Sequence, residues 1–280
     1  MPTINITTQL LHSLLAYAAV VQARDHSIHG HMWRVSQYSA CLAEKAGFST
    51  GEVFIASLGG LVHDIGKIGV PDRILQKPGR LKFEEMTLIK QHPQMGHVLI
   101  QNHPLEIIVK EAILEHHERI DGTGYPQHRS GDQISIFARV VAIADAFDAM
   151  TSPRTYRSVK SISEACGVLQ REKDRQFDPF LAELFAQMAL NGEFETILGH
   201  SLNGRRLASC LECGPIIGLC APSTCSQIVT CPECGKRYRL HPNDHDFELE
   251  WLGSYGKAEI QIETEAIQEF IHQAPGYLKL

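Results

Sequence analysis

Paired imidazoles and carboxylates carry most of the chemistry available to this chain. His116 and His117 close an apolar segment (Ile107, Ile108, Val109, Ala112, Ile113, Leu114), and a loop of Asp121, Gly122, Thr123, Gly124, Tyr125 and Pro126 follows. This is a helix running into a tight turn, with ligand-type side chains where it ends. Neighbours at i and i+1 do not share a face of a regular helix. Two imidazoles serving one site therefore require a distorted helix end or a site with two centres. A second pair, His63-Asp64, ends another apolar segment (Val53 to Leu61) and runs into Gly66, Lys67 and Gly69. His31, His92 and Asp145 are further candidates. Imidazoles with carboxylates and no nearby thiolate suit Fe, Mn, Zn, Ni or Co rather than Ca or Mg alone.

The blander alternative is that His63 is an ordinary helix-end histidine and Asp145 a hydrogen-bonded carboxylate in an apolar helix. A buried lone carboxylate is costly, however, and metal binding compensates it. A carboxylate beside a histidine can also bridge two metals. Two metals about 3.5–4 Å apart share a water, lower its pKa and clamp both oxygens of an in-line phosphoryl displacement. His12, His97, His103, His128 and Asp148 are read as surface, capping or supporting groups.

The elements that must position these residues are helical. Leu10 to Arg24 and Met32 to Ala46 carry apolar residues at helical spacing, the second ending in Gly47. Ser49-Thr50-Gly51-Glu52 has the form of a capping box opening the helix that delivers His63-Asp64. Phe83 to Gln91 is a short helix, and Pro93 disfavours helix at His92, which is expected at a turn. Gln94 to Asn102, Leu105 to His117, Ile162 to Glu172 and Pro179 to Leu190 are further helices. Ile134 to Met150, apolar almost all round apart from Arg139, Asp145 and Asp148, is expected to be central. The fold class expected is mainly α, followed by a small, mostly β region of cysteine knuckles and short alternating runs (Phe247, Leu249, Trp251) and a short terminal helix around Ile267 and Ile271. The expected division is a catalytic domain over 1–195, a linker over 196–204 and a second domain over 205–280.

At these motifs the chain resembles a known family. His63-Asp64 matches the signature of HD-type phosphohydrolases, and HHExxDGxGYP over 116–126 matches the HD-GYP subgroup. Over roughly residues 20 to 185 the resemblance implies an HD-type helical bundle. It implies that His31 of GHxxRV, His63, Asp64, His92, His116, His117 and Asp145 hold two divalent metals, Fe or Mn, with Asp64 bridging. Lys67 of HDxGK matches the lysine that contacts substrate phosphate, where its charge meets developing negative charge. Arg154, Tyr156 and Arg157 of SxRxYR match the tail motif, and with Arg139 they are assigned to substrate, since arginine forks suit phosphate or guanine. The implied substrate is cyclic di-GMP, cleaved to the linear dinucleotide and onward to GMP in bacterial signalling. A non-catalytic nucleotide-binding module and a hydrolase for another cyclic dinucleotide or a nucleotide phosphate are the rivals. Some members hold a third metal with a glutamate four residues before the first histidine; here that position is Ser27, so two metals are expected. Gly124, Tyr125 and Pro126 either contact a protein partner or shape the turn.

The cysteines form a separate cluster. Six of eight lie between 210 and 234. Cys210-x-x-Cys213-Gly and Cys231-x-x-Cys234-Gly have the spacing of a structural Zn site, whose four thiolates leave no open position, and the segment resembles a zinc ribbon. Cys220 and Cys225 are either free or bind a second metal with His241 and His245, and free is favoured. The net charge is −6, which gives no footprint for nucleic acid. No signal peptide or membrane-spanning run is visible, so a cytoplasmic protein is expected, with the ribbon serving protein contact or homodimerisation. No receiver or other sensor domain is expected ahead of the catalytic region.

Overall fold

The computed structural model describes residues 6–24, 30–77, 79–152, 159–198, 200–201, 205–210, 212, 214–218, 227–231, 234–242, 247–256 and 271. Ten helices occupy the first two thirds of these: α1 (Ile6–Arg24), α2 (His31–Lys45), α3 (Thr50–Val62), α4 (Asp72–Leu75), α5 (Phe83–Ile89), α6 (His92–Ile100), α7 (Glu106–Glu115), α8 (Ile136–Thr151), α9 (Ile162–Arg171) and α10 (Pro179–Leu190). A 3-10 turn (Ile65–Gly69) follows α3. The capping box forms as its residues demand: Ser49 Oγ accepts from Glu52 N–H, and the Glu52 carboxylate accepts from Ser49 N–H at 2.8 Å. The central helix is α8, with Ala138, Val140, Val141, Ile143, Ala144 and Phe147 fully buried.

Two apolar cores flank the helices that carry the site. In one, Tyr38, Phe147, Phe185 and Phe194 pack mostly edge to face, with Tyr38 5.1–5.9 Å from the other three rings. In the other, Leu11, Leu14 and Leu15 of α1 meet Leu58, Ile65 and Ile113. Such burial, at roughly 1.5–3 kcal/mol per large apolar side chain, is what holds five separate helices around one point. Ile271 is buried in this second core; Ala266, Ile267 and Phe270 of the expected terminal helix lie outside the described residues.

His92 departs from expectation. It is the first residue of α6, with Pro93 at the next position. A proline is tolerated in the first helical turn because the N–H it lacks has no intrahelical partner there. Beyond α10 come β1 (His200–Ser201), β2 (Arg205–Cys210), β3 (Gly214–Gly218), β4 (Ile228–Thr230), β5 (Lys236–Pro242) and β6 (Phe247–Tyr255). They form two antiparallel three-stranded sheets, β1-β2-β3 and β4-β5-β6. Ala208, Cys210, Val229, Cys231, Tyr238 and Leu240 share one small core between the sheets. Among the described residues, no helix is long and apolar enough to cross a membrane. Ser27, the Arg154-Tyr156-Arg157 tail motif, Cys213, Cys220, Cys225 and His245 lie outside the described residues.

Candidate metal centre

Five helices deliver the seven expected ligands to one buried cluster. His31 opens α2, His63 and Asp64 follow the last residue of α3, His92 opens α6, His116 and His117 follow α7, and Asp145 lies within α8. The helix α7 stops at Glu115, so the adjacent histidines lie in the turn beyond it, with ring centroids 4.1 Å apart. That is the distorted helix end the pairing requires. The nitrogens and carboxylate of His31, His63 and Asp64 lie within 4.8 Å of one another, and so do those of His92, His116 and His117. Asp64, a member of the first trio, also reaches the second. Its Oδ2 is 3.4 Å from His63 Nε2 and 3.7 Å from His31 Nε2, and its Oδ1 is 3.2 Å from His92 Nε2 and 4.0 Å from His116 Nε2. Asp145 Oδ1 is 3.3 Å from His31 Nε2. Lys67 Nζ is 2.5 Å from Asp64 Oδ2, the result of a three-residue offset in the 3-10 turn.

Backbone carbonyls set the tautomers of three imidazoles. His63 Nδ1 donates to Gly60 O at 2.7 Å, His92 Nδ1 to Ile89 O at 2.8 Å, and His116 Nδ1 to Ala112 O at 2.9 Å. A carbonyl only accepts, so each Nδ1 carries the proton and each Nε2 presents its lone pair to the site. His31 is held differently. Its Nδ1 lies 2.8 Å from Asp148 Oδ2, and Arg34 Nε donates to Asp148 Oδ1 at 2.6 Å. Arg34 belongs to the same GHxxRV stretch as His31, so the motif carried this signal. Asp148 thus fixes the His31 ring from the side away from the cluster.

The buried charges and lone pairs fit cations. His31 Nε2 and His63 Nε2 are buried without a hydrogen bond. Nε2 of His92 and of His116 approach to 3.2 Å, although both rings hold their proton on the other nitrogen. Two converging lone pairs repel unless a cation or proton lies between them. Burial lowers the pKa of His116, with His117, His63 and His92 adding to the effect, and burial beside His92 brings His117 down to about 3. These rings stay neutral, the ligating form. Burial works against ionisation of Asp64 and Asp145, yet Lys67 and His63 in the first case, and His31 in the second, hold both carboxyls well below the usual range. His31 is raised instead, because the carboxylates of Asp145 and Asp148 outweigh its burial. A proton there stands where a cation would.

Two groups that sequence reasoning passed over shape the loop beside the centre. Glu118 accepts from the backbone N–H of Gln127 at 2.6 Å and of Arg129 at 3.1 Å; Glu115 accepts from Ser135 N–H at 2.8 Å and from Arg129. Both carboxylates are buried. They pin residues 127–135, and Tyr125 of the same loop stacks on His117 at 4.8 Å. Close backbone approach matters at Gly66, where an added Cβ would lie 1.8 Å from the His92 carbonyl oxygen. Arg139, assigned to substrate together with the tail-motif residues, also makes contacts within the fold. It donates to Ile134 O and Asp178 and pairs with Asp132, tying α8 to the N-terminus of α10.

In the C-terminal sheets, Cys210, Cys231 and Cys234 bring their sulfurs within 4.8 Å of one another, and Tyr238 Oη lies 3.1 Å from Cys210 Sγ. Gly235 follows Cys234 with φ +73°, the left-handed turn the knuckle needs.

The family model described as "HD domain" matches residues 14–181. The chain is 38% identical over 169 residues to the cyclic di-GMP phosphodiesterase response regulator RpfG of Xanthomonas campestris pv. campestris, covering 60% of this chain and 45% of that protein. It is 40% identical over 169 residues to a cyclic di-GMP phosphodiesterase of Thermotoga maritima, covering 59% and 45%. Against 3'3'-cGAMP-specific phosphodiesterase 2 of Vibrio cholerae the values are 34% over 172 residues, 61% and 33%. The chain thus spans less than half the length of these curated relatives. The crystal structure of the HD domain of the L. monocytogenes phosphodiesterase PgpH in complex with cyclic-di-AMP is alike in fold alone, with a TM-score of 0.50 at 13% identity, covering 66% of this chain and 96% of that one. The model's match over more than half of the residues, on the helices that bear the histidine–aspartate cluster, assigns this chain to the HD-domain family.

Proposed function

We propose that the chain is a metal-dependent phosphodiesterase that hydrolyses cyclic di-GMP to the linear dinucleotide pGpG and onward to GMP. The observation that carries this is the pair of donor trios with Asp64 placed across them, lone pairs converging without protons to share. His31, His63, Asp64, His92, His116, His117 and Asp145 would hold two divalent cations, Fe or Mn. Such a pair supplies Lewis acidity and an activated water at neutral pH. The protein's own groups do the rest. Carbonyl-bonded imidazoles keep their donor atoms aimed inward. Asp64 balances positive charge. Lys67, paired to Asp64, places an ammonium at the edge of the site, where negative charge grows on a transferring phosphoryl group. Arg139, Arg154, Tyr156 and Arg157 are the candidates for holding guanine or phosphate.

We further divide the chain into a catalytic domain over 1–195, a linker over 196–204 and a zinc-ribbon-like domain over 205–280. In the last, Cys210, Cys213, Cys231 and Cys234 would bind one structural Zn, and its surface would serve a protein partner or a second copy. A second substrate is favoured by the 34% identity to a relative named for 3'3'-cGAMP. The deciding experiment incubates anaerobically purified protein, loaded with Fe or Mn, with each cyclic dinucleotide in turn. Linear pGpG from cyclic di-GMP is the expected product. Protein that binds two metals yet leaves both nucleotides intact would sink the proposal.

A further inference from the structure

Four of the five clustered imidazoles are oriented by a hydrogen bond from Nδ1: His63 to Gly60 O, His92 to Ile89 O, His116 to Ala112 O, and His31 to Asp148. Among the described residues, no such bond holds His117. Its ring is instead stacked on Tyr125, with centroids 4.8 Å apart and planes 28° from parallel. Tyr125 is in turn fixed at two points. Its backbone N–H donates to His117 O at 3.1 Å, and Lys90 Nζ lies over the ring, 5.1 Å from its centroid. Lys90 is exposed at the end of α5, two residues before His92, and no carboxylate pairs with it among the described residues. Its ammonium therefore has the Tyr125 ring as its described partner. A cation over an aromatic face is attracted by the ring's negative quadrupole and restricts where the ring can sit.

We propose that Tyr125 and Lys90 are positioning residues that orient His117 as a ligand, the stacked ring replacing the hydrogen bond that the other four imidazoles donate. Tyr125 restrains the imidazole by area contact, and Lys90 restrains Tyr125. The phenolic hydroxyl is not needed for this; the aromatic face is. Removing an orienting partner from a ligating histidine typically weakens metal binding about 10–100-fold. A partly exposed cation–π contact, at about 0.5–1 kcal/mol, corresponds to a change of about two- to fivefold.

The inference rests on the metal-centre assignment above, and its test reads metal retention rather than turnover. Full-length protein loaded with Mn is titrated with a chelator, and the loss of each metal is followed. Metal-free protein of each variant is melted to check the fold. Tyr125→Phe is expected to match the wild type. Tyr125→Leu loses one of the two metals about tenfold more readily. Lys90→Met loses it about two- to fivefold more readily, Lys90→Arg restores it, and Lys90→Met adds nothing in the Tyr125→Leu background. The proposal is overturned if Lys90→Met and Tyr125→Leu hold both metals like the wild type, if Lys90→Arg fails to rescue, or if the two losses simply add. A wild-type chain that takes up no metal at these histidines would remove both this inference and the phosphodiesterase assignment; two metals held identically by all variants would remove this inference alone.

Discussion

Replacing Gly66 by alanine tests whether backbone contact between the 3-10 turn and α6 sets the geometry of the centre. The added Cβ would stand 1.8 Å from the His92 carbonyl oxygen and 2.4 Å from Gly96 N, both backbone atoms. Ordinary contact begins near 3.4 Å, so the two segments must part by about 1.5 Å. His92 Nε2, 3.2 Å from Asp64 Oδ1, rides on the segment that moves. Metal–ligand distances tolerate only about ±0.2 Å, so the shift exceeds the tolerance several-fold. We expect one metal fewer per chain and turnover down by at least about 100-fold, as misplacements near 1 Å produce. Overpacking of about 1–3 kcal/mol should lower Tm by a few degrees. Gly69→Ala is the control, because its Cβ would meet only the flexible end of Met95, at 2.6 Å from Sδ. Mass-spectrometric metal analysis, product chromatography and calorimetry on both variants make the comparison. Should Gly66→Ala keep the metal content and turnover of Gly69→Ala, close packing of these glycines is not what places His92.

Three other outcomes are expected. Asp64→Asn should lose metal from both trios and abolish hydrolysis in the product assay, since this carboxylate reaches donors on either side. Asp148→Asn should take away the negative charge that Arg34 Nε and His31 Nδ1 share, costing about 1.5–3 kcal/mol in denaturant titrations and weakening metal binding about 10–100-fold in chelator competition. In metal-free protein, His116, His117, Asp64 and Asp148 all have pKa values below their unfolded ones, so the unfolded chain binds more protons and stability is lost as pH is lowered, beginning near 6.5 for the histidines and continuing through the carboxylate range. His31, raised, acts in the opposite sense but is outnumbered. A urea midpoint that rises between pH 7 and 4 would contradict that sum.

Local signals were readable in the chain, and long-range partners were not. The Ser49–Glu52 box and the apolar run to Leu61 announce α3 and hence the location of His63-Asp64. The adjacency of His116 and His117 announces a break in α7. Arg139 shows the opposite case. Its place in an apolar helix gave no sign of the ion pair it makes with Asp178, 39 residues on. Asp148 is likewise ambiguous until His31, 117 residues away, is seen to use it. Glu115 and Glu118 are invisible as loop anchors because their partners are backbone N–H groups, which leave no mark in residue identity. Pro93 misled at His92 because the same residue that ends one helix is well suited to start the next.

Drawing ligands from five helices has a consequence for when cations are chosen. His31 and Asp145 meet only after more than a hundred intervening residues have folded, so nascent or unfolded chain offers no comparable grip there, and selection falls to the finished cavity. Cys231 and Cys234, three residues apart in one turn, need no such wait. An ion at the thiols would therefore need only a local turn of chain, whereas one at the imidazoles would need the completed fold.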